Sequence, residues 1–348
     1  MISRVASEMT PPPLEPLVHV PLQDLVGLLE RILVRYGASP AVAAQIARNC
    51  AAAEADGTRS HGVFRIPGYV SSLKCGWVDG GAEPVMDDSA AGVIVVDARN
   101  GFAQPALALA ASHLAERART NGIAMACIRD SHHFGALWVD VEPFASQGFI
   151  ALSCVNSIAR MVPHGGQQPV FGTNPMAFAV PRTDQLPLVF DQSSSAIANG
   201  DLKLAAREGR SVGAGLGVDR DGRPTTDPAA IIDGGALLPF GAHKGSSIAL
   251  MIEVLAAGLT GGQFSFEVDL PPGAETPRTG QMVILIDPAK GGGKYFGRRI
   301  ETLIEALRGG GATRLPGEKR YEQRRQTQLN GAPLSRAELA SLNELLSN

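Results

Sequence analysis

The first part of the chain carries apolar residues at helical spacing. They fall three or four positions apart over 22–36, and Gly37 follows as a helix stop. Ser39-Pro40 supplies an N-cap residue and then a proline at the first helical position, which predicts a second helix to about Asp56. A third helix is expected to continue to about Lys74. The opening part of the chain is therefore predicted to be a helical unit.

From Gly92 onward, short apolar segments alternate with helical segments. Extended structure is predicted over 93–96, 123–128, 149–155, 170–180, 186–190 and 282–286. Helices are predicted over 104–120, 139–146, 195–208, 244–259 and 298–307, with a last helix from Ser335. The glycine- and aspartate-rich stretch 209–235 is predicted to be a loop region. This mixture of strands and helices indicates an α/β (α+β) protein.

The composition limits the class of protein. The 348 residues suggest two domains on a prior of roughly 150 residues each. A content of 45% hydrophobic and 19% charged residues is ordinary for a globular protein with a large core. The net charge of −3 and the 5% of aromatic residues give no reason to expect nucleic acid or an anionic membrane as partner.

No segment of the sequence indicates export or membrane insertion. Residues 1–17 form a proline-rich leader that we expect to be mobile and that lacks the apolar segment of a signal peptide. The longest apolar run, 248–259, is interrupted by Glu253 and is too short to span a bilayer. The four cysteines show no C-x-x-C spacing, so buried free thiols are expected. We therefore expect a soluble cytoplasmic protein.

The segment 58–65, T-R-S-H-G-V-F-R, concentrates polar chemistry in a few residues. If it opens a helix, His61 and Arg65 are four positions apart and share one face. Arginine is suited to hold a carboxylate in a bidentate manner, and histidine to move a proton near neutral pH. The plainer alternative is a helix-start serine, Ser60, followed by a surface histidine and arginine.

The usual nucleotide and metal patterns are not met. The segment 212–217 lacks the third glycine of G-x-G-x-x-G and no helix pattern follows it, so a Rossmann fingerprint is not supported. The segment 291–294, G-G-G-K, lacks the spacing of a P-loop. His132, His133 and Asp140 could suggest a metal, but side chains of adjacent loop residues usually diverge, so we predict no metal site.

Four other segments offer polar groups to a ligand. The segment 171–175, F-G-T-N-P, is a plain hairpin turn or a ligand wall that includes Thr173. The segment 191–195, D-Q-S-S-S, is an ordinary helix cap or an anion site, and Asp201 beyond it compensates a helix dipole or orients a histidine. His243-Lys244 opens an apolar helix, and 315–324 is a basic cluster predicted in a loop.

Taken together, these segments resemble the malate/L-lactate dehydrogenase superfamily that does not use a Rossmann fold. The matching pieces are S-H-G-V-F-R, S-H-H-F-G, F-G-T-N-P-M-A-F-A-V-P, P-T-T-D-P, G-A-H-K-G-S-S-I-A-L and R-L-P-G-E. They span about 20–345. Within the family, H-G-V-F-R-I-P-G-Y-V, D-S-H-H-F-G-A-L-W, D-Q-S-S-S and N-G-D-L are most similar to the Δ1-piperideine-2-carboxylate/Δ1-pyrroline-2-carboxylate reductases. Many hydroxy-acid members carry lysine where this chain has Asp201. One departure is Ala242, where relatives are expected to have glycine.

The resemblance implies a homodimer with a sheet-centred NADP-binding domain over 121–299 and a helical, dimerising region formed by 18–120 with 300–348. It implies a catalytic set of Ser60, His61 and Asp201. It implies substrate binding by Arg65, Thr173, Asn199 and Gly200. It implies a cofactor site lined by His133, Phe134, Gly135, Ala136, Leu137, Trp138, Asp191, Gln192, Ser193, His243, Lys244, Glu318, Lys319, Arg320 and Arg324.

The expected activity is NADPH-dependent reduction of Δ1-piperideine-2-carboxylate and Δ1-pyrroline-2-carboxylate to L-pipecolate and L-proline, with NADH possible. The preference for NADPH follows from the basic cluster and from the resemblance. One alternative is an NAD(P)-dependent 2-hydroxy acid dehydrogenase of the malate, lactate or ureidoglycolate type, because the same arginine and histidine would serve a C=O bond. The other alternative is a non-catalytic binding protein that has kept the fold.

Overall fold

The computed structural model describes residues 17–347, so the predicted leader lies outside the described residues except for Leu17. The helices are α1 (Leu22–Arg35), α2 (Pro40–Ala55), α3 (Ile66–Lys74), α4 (Ala103–Asn121), α5 (Trp138–Ser146), α6 (Asn199–Arg207), α7 (Pro228–Ile232), α8 (His243–Ile252), α9 (Phe296–Gly309), α10 (Glu318–Asn330) and α11 (Arg336–Ser347). The strands are β1 (Val18–Val20), β2 (Val85–Asp87), β3 (Val93–Phe102), β4 (Ile123–His132), β5 (Ile150–Val155), β6 (Met176–Arg182), β7 (Gln185–Gln192), β8 (Gly217–Val218), β9 (Pro224–Thr225), β10 (Ala236–Leu237), β11 (Arg278–Ile286) and β12 (Ala332–Leu334).

A seven-stranded sheet with the order β2-β3-β4-β11-β5-β6-β7 forms the centre of the fold. Strands β3 and β4 are parallel, and α4 forms the crossover between them. The other neighbours in this sheet are antiparallel. The strand order, with the C-terminal strand β11 in the middle, differs from that of a doubly wound sheet. The predicted α/β (α+β) class with a non-Rossmann sheet is therefore confirmed.

Both faces of this sheet are covered by helices. Along β11, Val283 and Leu285 belong to the apolar cluster under α4 and α5, whereas Met282 packs against Ile252 and Ala256 on the opposite face. This alternation follows from the two-residue period of a strand. Since each face is buried, the central strands are nearly continuous apolar runs, which explains why the sequence marks them clearly.

The first three helices form a second apolar cluster, as the helical periodicity predicts. The predicted N-cap is present, because Ser39 Oγ accepts a hydrogen bond from Val42 N at 3.3 Å. Strand β1 pairs with β12, and Leu334 and Leu342 join the same cluster. The C-terminal segment therefore packs against the beginning of the chain. The strands β2 and β3 belong to the large sheet, and the predicted domain boundaries stay a prediction.

Several predicted elements have different bounds in the structure. The segment 58–65 does not open an α-helix but forms two 3-10 turns, Arg59–His61 and Val63–Arg65, before α3 begins. The predicted helix over 195–208 begins only at Asn199, so 191–195 is not a helix start. The basic segment 315–324 is not a loop throughout, since α10 begins at Glu318.

Three further corrections concern the second half of the chain. The predicted strand over 170–180 is regular only from Met176. The predicted helix over 244–259 changes to a π-helix at Glu253–Gly258, where a buried carboxylate is accommodated. The predicted loop 209–235 contains β8, β9 and α7. Within residues 17–347, no helix has the length and apolar character needed to cross a membrane.

Candidate active site

A cleft of about 760 Å³ lies between the segment 58–65, the loop after β4, the loops after β5 and β7, and the start of α6. Of the residues expected at the site, it is lined by Ser60, His61, Arg65, His133, Phe134, Gly135, Trp138, Thr173, Asp191, Gln192, Ser193, Asn199, Gly200, Asp201 and Arg320. Segments that are distant in sequence therefore meet in one concave site, as ligand sites commonly require.

Glu54 of α2 contacts the backbone of the two 3-10 turns of 58–65. Its carboxylate is buried and accepts a hydrogen bond from Val63 N at 2.9 Å. A side chain on Gly62 would begin 1.9 Å from Glu54 Oε2, so this position requires glycine. Burial, partly offset by the Val63 hydrogen bond, raises the pKa of Glu54 to about 7. The turn thus presents His61 and Arg65 to the cleft.

His61 lies between a hydroxyl and a guanidinium. Its Nδ1 is 3.1 Å from Ser60 Oγ, and its Nε2 is 3.3 Å from Arg65 Nη2. Because arginine can only donate, Nε2 must accept, and the ring proton must then lie on Nδ1 and be donated to Ser60 Oγ. Burial, then the positive charge of Arg65, then His133 hold the pKa of His61 well below its usual range. His61 is therefore neutral in this state.

Arg65 is buried, and its charge is supported by aromatic and acidic neighbours. Its guanidinium carbon lies 4.2 Å from the centroid of the Phe134 ring. Its Nε is buried with no hydrogen-bond partner among the described residues. Burial lowers the pKa of Arg65, while groups that include Glu275 and Asp201 act to raise it. A buried cation with an unsatisfied donor is well suited to receive a carboxylate.

The start of α6 packs directly on the segment 58–65. A side chain on Gly200 would begin 3.1 Å from both Arg65 Nη2 and Ser60 Cβ, so a larger residue would push these neighbours back by a few tenths of an ångström. Asp201 follows at the cleft and is exposed. Among the described residues, no hydrogen bond joins Asp201 to His61, and the charge of Asp201 acts on Arg65 instead. The expected Ser60–His61 contact is present, whereas the aspartate stands farther away.

The opposite wall of the cleft is formed by the loop after β4 and the end of β7. Asp191 Oδ2 accepts hydrogen bonds from Leu137 N at 3.0 Å and from Trp138 N at 3.1 Å. Burial raises the pKa of Asp191 to about 6, although these hydrogen bonds and the nearby Arg320 oppose the rise. His133 Nε2 donates to Asp140 Oδ2 at 2.7 Å, so the ring is fixed from behind.

The neighbouring His132 does not share a ligand with His133. Its ring contacts Thr276 Oγ1 and Asn100 Oδ1, both at 3.0 Å, because the strand alternates the direction of successive side chains. Within residues 17–347, no group of three or more potential ligands is arranged to hold a metal ion.

Trp138 is fixed on two sides. Its Nε1 donates to Asp56 Oδ2 at 3.1 Å, and the Arg320 guanidinium carbon lies 4.9 Å from its ring. Arg320 also donates to Val189 O at 2.7 Å, and its Nε is buried with no partner in the described part of the chain. Trp138 thus supports Arg320, and a cation with a free donor at the cleft can pair with an anionic group of a cofactor.

The expected cofactor residues that lie outside the cleft wall are Ala136, Leu137, His243, Lys244, Glu318, Lys319 and Arg324. Lys319 is exposed, and so are His243 and Lys244 at the start of α8. Arg324 is held in ion pairs, since it donates to Asp56 Oδ1 at 2.7 Å and to Glu142 Oε2 at 2.9 Å. It joins α2, α5 and α10.

Sequence reasoning missed the buried carboxylates that support the cleft. Glu253 Oε1 accepts from Asn174 Nδ2 at 2.8 Å, and its Oε2 accepts from Ser265 N at 3.1 Å. Asn174 follows Thr173 directly, so this network fixes the back of a cleft wall. The signal was the single acid in the apolar run 248–259. Glu275 and Lys203 also line the cleft, but no motif marks them.

Ala242 lies just before α8 with φ 57° and ψ −113°, a backbone conformation that favours glycine. This agrees with the expectation that relatives carry glycine here. The strain is local, since the first turn of α8 remains closely packed. The backbone of Gly245 lies so near Phe240 and Ser194 that a Cβ would begin 2.5 Å from Phe240 O.

Comparison with known proteins adds independent findings. The family model for malate/L-lactate dehydrogenase matches residues 20–343. The chain is 57% identical over 333 residues to the Delta(1)-pyrroline-2-carboxylate/Delta(1)-piperideine-2-carboxylate reductase of Pseudomonas syringae pv. tomato, covering 95% of this chain and 97% of that protein. A (2R)-3-sulfolactate dehydrogenase (NADP(+)) of Chromohalobacter salexigens is 41% identical over 276 residues, covering 79% of this chain and 82% of that protein.

The fold is also similar to a solved structure. The crystal structure of delta1-piperideine-2-carboxylate reductase from Pseudomonas syringae pv. tomato superposes with a TM-score of 0.92 at 57% identity. The match covers 94% of this chain and 99% of that one.

Arg324 is expected to stabilise the fold. Replacing Arg324 with Gln leaves the buried Asp56 carboxylate without its cation, so the free energy of unfolding in urea should fall by about 2–4 kcal/mol. Arg325→Gln is the matched control, because Arg325 is exposed and its one ion-pair partner within residues 17–347 is the exposed Glu322. It should change the unfolding free energy by less than about 0.5 kcal/mol. An Arg324→Gln protein of unchanged stability that binds nicotinamide cofactor poorly would contradict this assignment.

Proposed function

The chain belongs to the malate/L-lactate dehydrogenase family, and we propose that it is an NADPH-dependent reductase of the cyclic imines Δ1-piperideine-2-carboxylate and Δ1-pyrroline-2-carboxylate. The proposed products are L-pipecolate and L-proline. The observation that carries the proposal is the 3.3 Å contact between His61 Nε2 and Arg65 Nη2 in one cleft. It puts a proton carrier beside a carboxylate clamp. The 57% identity to a reductase of this name supports the same conclusion.

In this proposal Arg65 binds the 2-carboxylate of the imine. Its buried guanidinium has an unsatisfied Nε and two further nitrogens that can form a bidentate pair. Thr173, Asn199 and Gly200 line the same cleft and complete the substrate pocket. The carboxylate, once bound, replaces His61 as the partner of Arg65 Nη2. The substrate thereby frees the histidine for chemistry.

His61 supplies the proton that the ring nitrogen must gain. Reduction of C=N adds a hydride to carbon and a proton to nitrogen, so the site must bring a proton to that nitrogen. With Arg65 paired to a carboxylate, one cause of the low His61 pKa is cancelled and Nε2 is free to take up a proton. We assign this proton to His61 Nε2, from which it passes to the substrate nitrogen.

Ser60 and Asp201 are proposed to support this proton transfer. Ser60 Oγ, 3.1 Å from His61 Nδ1, fixes the ring orientation. Asp201 is exposed at the first turn of α6 in this state, and its negative charge favours the protonated form of any nearby group. We therefore propose that Asp201 stabilises the charged state of the site after substrate binding, and that it completes the relay through Ser60 and His61.

The cleft suits a nicotinamide cofactor. Asp191 and His133 offer polar groups, Arg320 offers a buried Nε with no partner among residues 17–347, and the buried Trp138 fixes the position of Arg320. When bound, the reduced nicotinamide supplies the hydride. The remaining expected cofactor residues stay part of the proposal, although Arg324 is already paired with Asp56 and Glu142.

NADPH is proposed over NADH because of the basic residues at the start of α10. Arg320 lines the cleft and Lys319 is exposed next to it. The extra phosphate of NADPH is a dianion at neutral pH, and arginine is suited to bind it in a bidentate manner. A relative named as NADP(+)-dependent, 41% identical, supports the same preference.

A homodimer is also proposed, and an exposed apolar surface supports it. On α8 and the following π-helix, Leu250 is 56% and Val254 is 55% exposed, and Leu259 and Phe266 are exposed nearby. Neighbouring large apolar side chains of this kind are typical of surfaces that bind another protein. A second copy of the chain is the occupant that the resemblance implies. The soluble, cytoplasmic location expected from the sequence belongs to the same proposal.

The alternative function is oxidation of a 2-hydroxy acid, or reduction of the 2-oxo acid. The sulfolactate dehydrogenase relative favours it, since the same arginine and histidine would act on a C=O bond. Asp201 argues against it, because many hydroxy-acid members carry lysine at this place. Initial rates of NADPH oxidation with Δ1-piperideine-2-carboxylate, pyruvate and oxaloacetate should therefore rank the imine first. Faster reduction of either 2-oxo acid would favour the alternative.

His61→Asn should lower kcat/KM for the imine by about 100-fold or more, since it removes a positioned proton donor. His113→Asn is the matched control, as His113 is exposed and its ion-pair partner in the described part of the chain is Asp88. Its kcat/KM should stay within twofold. The dissociation constant for NADPH, measured by fluorescence titration, should stay within threefold for both. Turnover of His61→Asn near the wild-type value would remove this residue from the mechanism.

Arg320→Leu should weaken NADPH binding about tenfold and NADH binding much less, because the variant loses the cation but keeps an apolar contact with Trp138. Fluorescence titration with each cofactor measures the two dissociation constants. Arg325→Leu, on the exposed side of the same helix, should leave both unchanged. Equal kcat/KM of the unmodified protein with NADPH and NADH would defeat the proposed preference.

Light scattering coupled to gel filtration should give twice the mass of one chain. The double variant Leu250→Glu, Val254→Glu should elute as a monomer, because it puts carboxylates into the apolar surface. Leu329→Glu is the control, as Leu329 is 81% exposed and lies on α10; it should remain a dimer. A monomeric unmodified protein at micromolar concentration would refute the dimer.

A further inference from the structure

The cleft carries a second carboxylate on the substrate side that no motif marks. Glu275 lies in the segment before β11, and its carboxylate is within 3.3 Å of the place where a Cβ on Gly68 would stand. The Phe134 ring edge is 2.8 Å from the same point. Since Arg65 rests on the face of this ring, Glu275 stands beside the proposed carboxylate clamp.

Hydrogen bonds fix the backbone at Glu275 and therefore the position of its Cβ. Ser72 Oγ accepts hydrogen bonds from Glu275 N at 2.9 Å and from Thr276 N at 3.0 Å. Trp77 Nε1 donates to Thr276 O at 2.7 Å. These contacts connect the segment to α3, the helix that follows Arg65. A substitution that keeps the length of the side chain should therefore leave the segment in position.

The charges around Arg65 alternate in sign. Lys203 Nζ lies 3.5 Å from Glu275 Oε2, and Lys203 is two residues beyond Asp201 on α6. The negative charges of Glu275 and Asp201 both act on Arg65. The cleft is also lined by the cations Arg160 and Arg320, but next to Arg65 a second anionic group of the substrate would meet Glu275 and Asp201. Like charges at such distances disfavour binding.

We propose that Glu275 determines specificity: it excludes substrates that carry a second negative group and so selects cyclic imino monocarboxylates over dicarboxylates and sulfonates. The proposal rests on the proposed function, in which Arg65 binds the substrate carboxylate. A cyclic imine monocarboxylate has a single negative group, which pairs with Arg65, so Glu275 tolerates it. Oxaloacetate and 3-sulfopyruvate carry two negative groups and are repelled.

The test compares two linear inhibitors of equal carbon number, butyrate with one charge and succinate with two at pH 8. Inhibition constants are measured against Δ1-piperideine-2-carboxylate with NADPH, and binding is also measured by calorimetry on the protein with cofactor. For Glu275→Gln, succinate should bind three- to tenfold more tightly, while butyrate changes less than twofold. Lys203→Met should shift the succinate-to-butyrate ratio the opposite way, because it removes the cation that offsets Glu275.

Glu267→Gln is the matched control. Glu267 is exposed, lies outside the cleft wall, and its Oε2 accepts a hydrogen bond from Phe264 N at 2.9 Å. It should leave the ratio unchanged. The gain for Glu275→Gln should shrink in 0.5 M salt, as expected for a partly exposed charge. If Glu275→Gln still reduces the imine but its succinate-to-butyrate ratio is unchanged, the proposed role of Glu275 is overturned while the proposed function stands. If the imine is not reduced, the proposed function fails, and calorimetry still decides whether Glu275 repels the second charge.

Discussion

The hydrogen bond from Val63 N to the buried Glu54 carboxylate is the contact on which the site depends. The carboxylate occupies the space that a side chain on Gly62 would need, so the chain turns sharply between two 3-10 turns. This turn aims His61 and Arg65 into the same cleft, although they do not share the face of a regular α-helix. Because a neutral carboxyl group can still accept through its carbonyl oxygen, the contact persists on either side of the Glu54 pKa of about 7.

A second buried carboxylate performs the same task on the other side of the cleft. Glu253 accepts from Asn174 Nδ2 and Ser265 N, and Asn156 Nδ2 lies 3.4 Å from its Oε2. Asn174 has φ 39°, a conformation that its side-chain hydrogen bonds to Glu253 and Ala249 O stabilise. Since Thr173 precedes it, the position of one substrate-side wall is set from within the core. The change from α8 to a π-helix begins at Glu253, as is common where a helix serves a functional site.

The sequence predicted those elements whose formation depends on helix capping and on the spacing of apolar residues along the chain. The helices around Ser39-Pro40 and the buried strand of β11 follow from capping and from apolar periodicity. The helix start at Asn199 was not predicted. Serine hydroxyls at 193–195 donate to nearby carbonyls and keep that stretch irregular; Ser195 Oγ, for example, donates to Ile197 O at 2.7 Å. The helix from Glu318 was missed because its charged sequence lacks an apolar stripe. The residues facing the cleft were recognised by motif, whereas Glu54, Glu253 and Glu275 act through contacts between distant segments.

The charges in the cleft explain why the free protein holds His61 neutral. Arg65 donates to His61 Nε2, and burial adds to the cost of a second cation beside it. A bound carboxylate reverses this balance, because it pairs with Arg65 and adds a negative charge next to the imidazole. Protonation of His61 is then linked to occupancy of the carboxylate clamp, so the acid forms where a substrate is present to use it. In the proposed function, an anion that pairs with Arg65 but carries a second charge meets Glu275 and Asp201, so the arrangement proposed to protonate His61 favours a substrate with a single carboxylate.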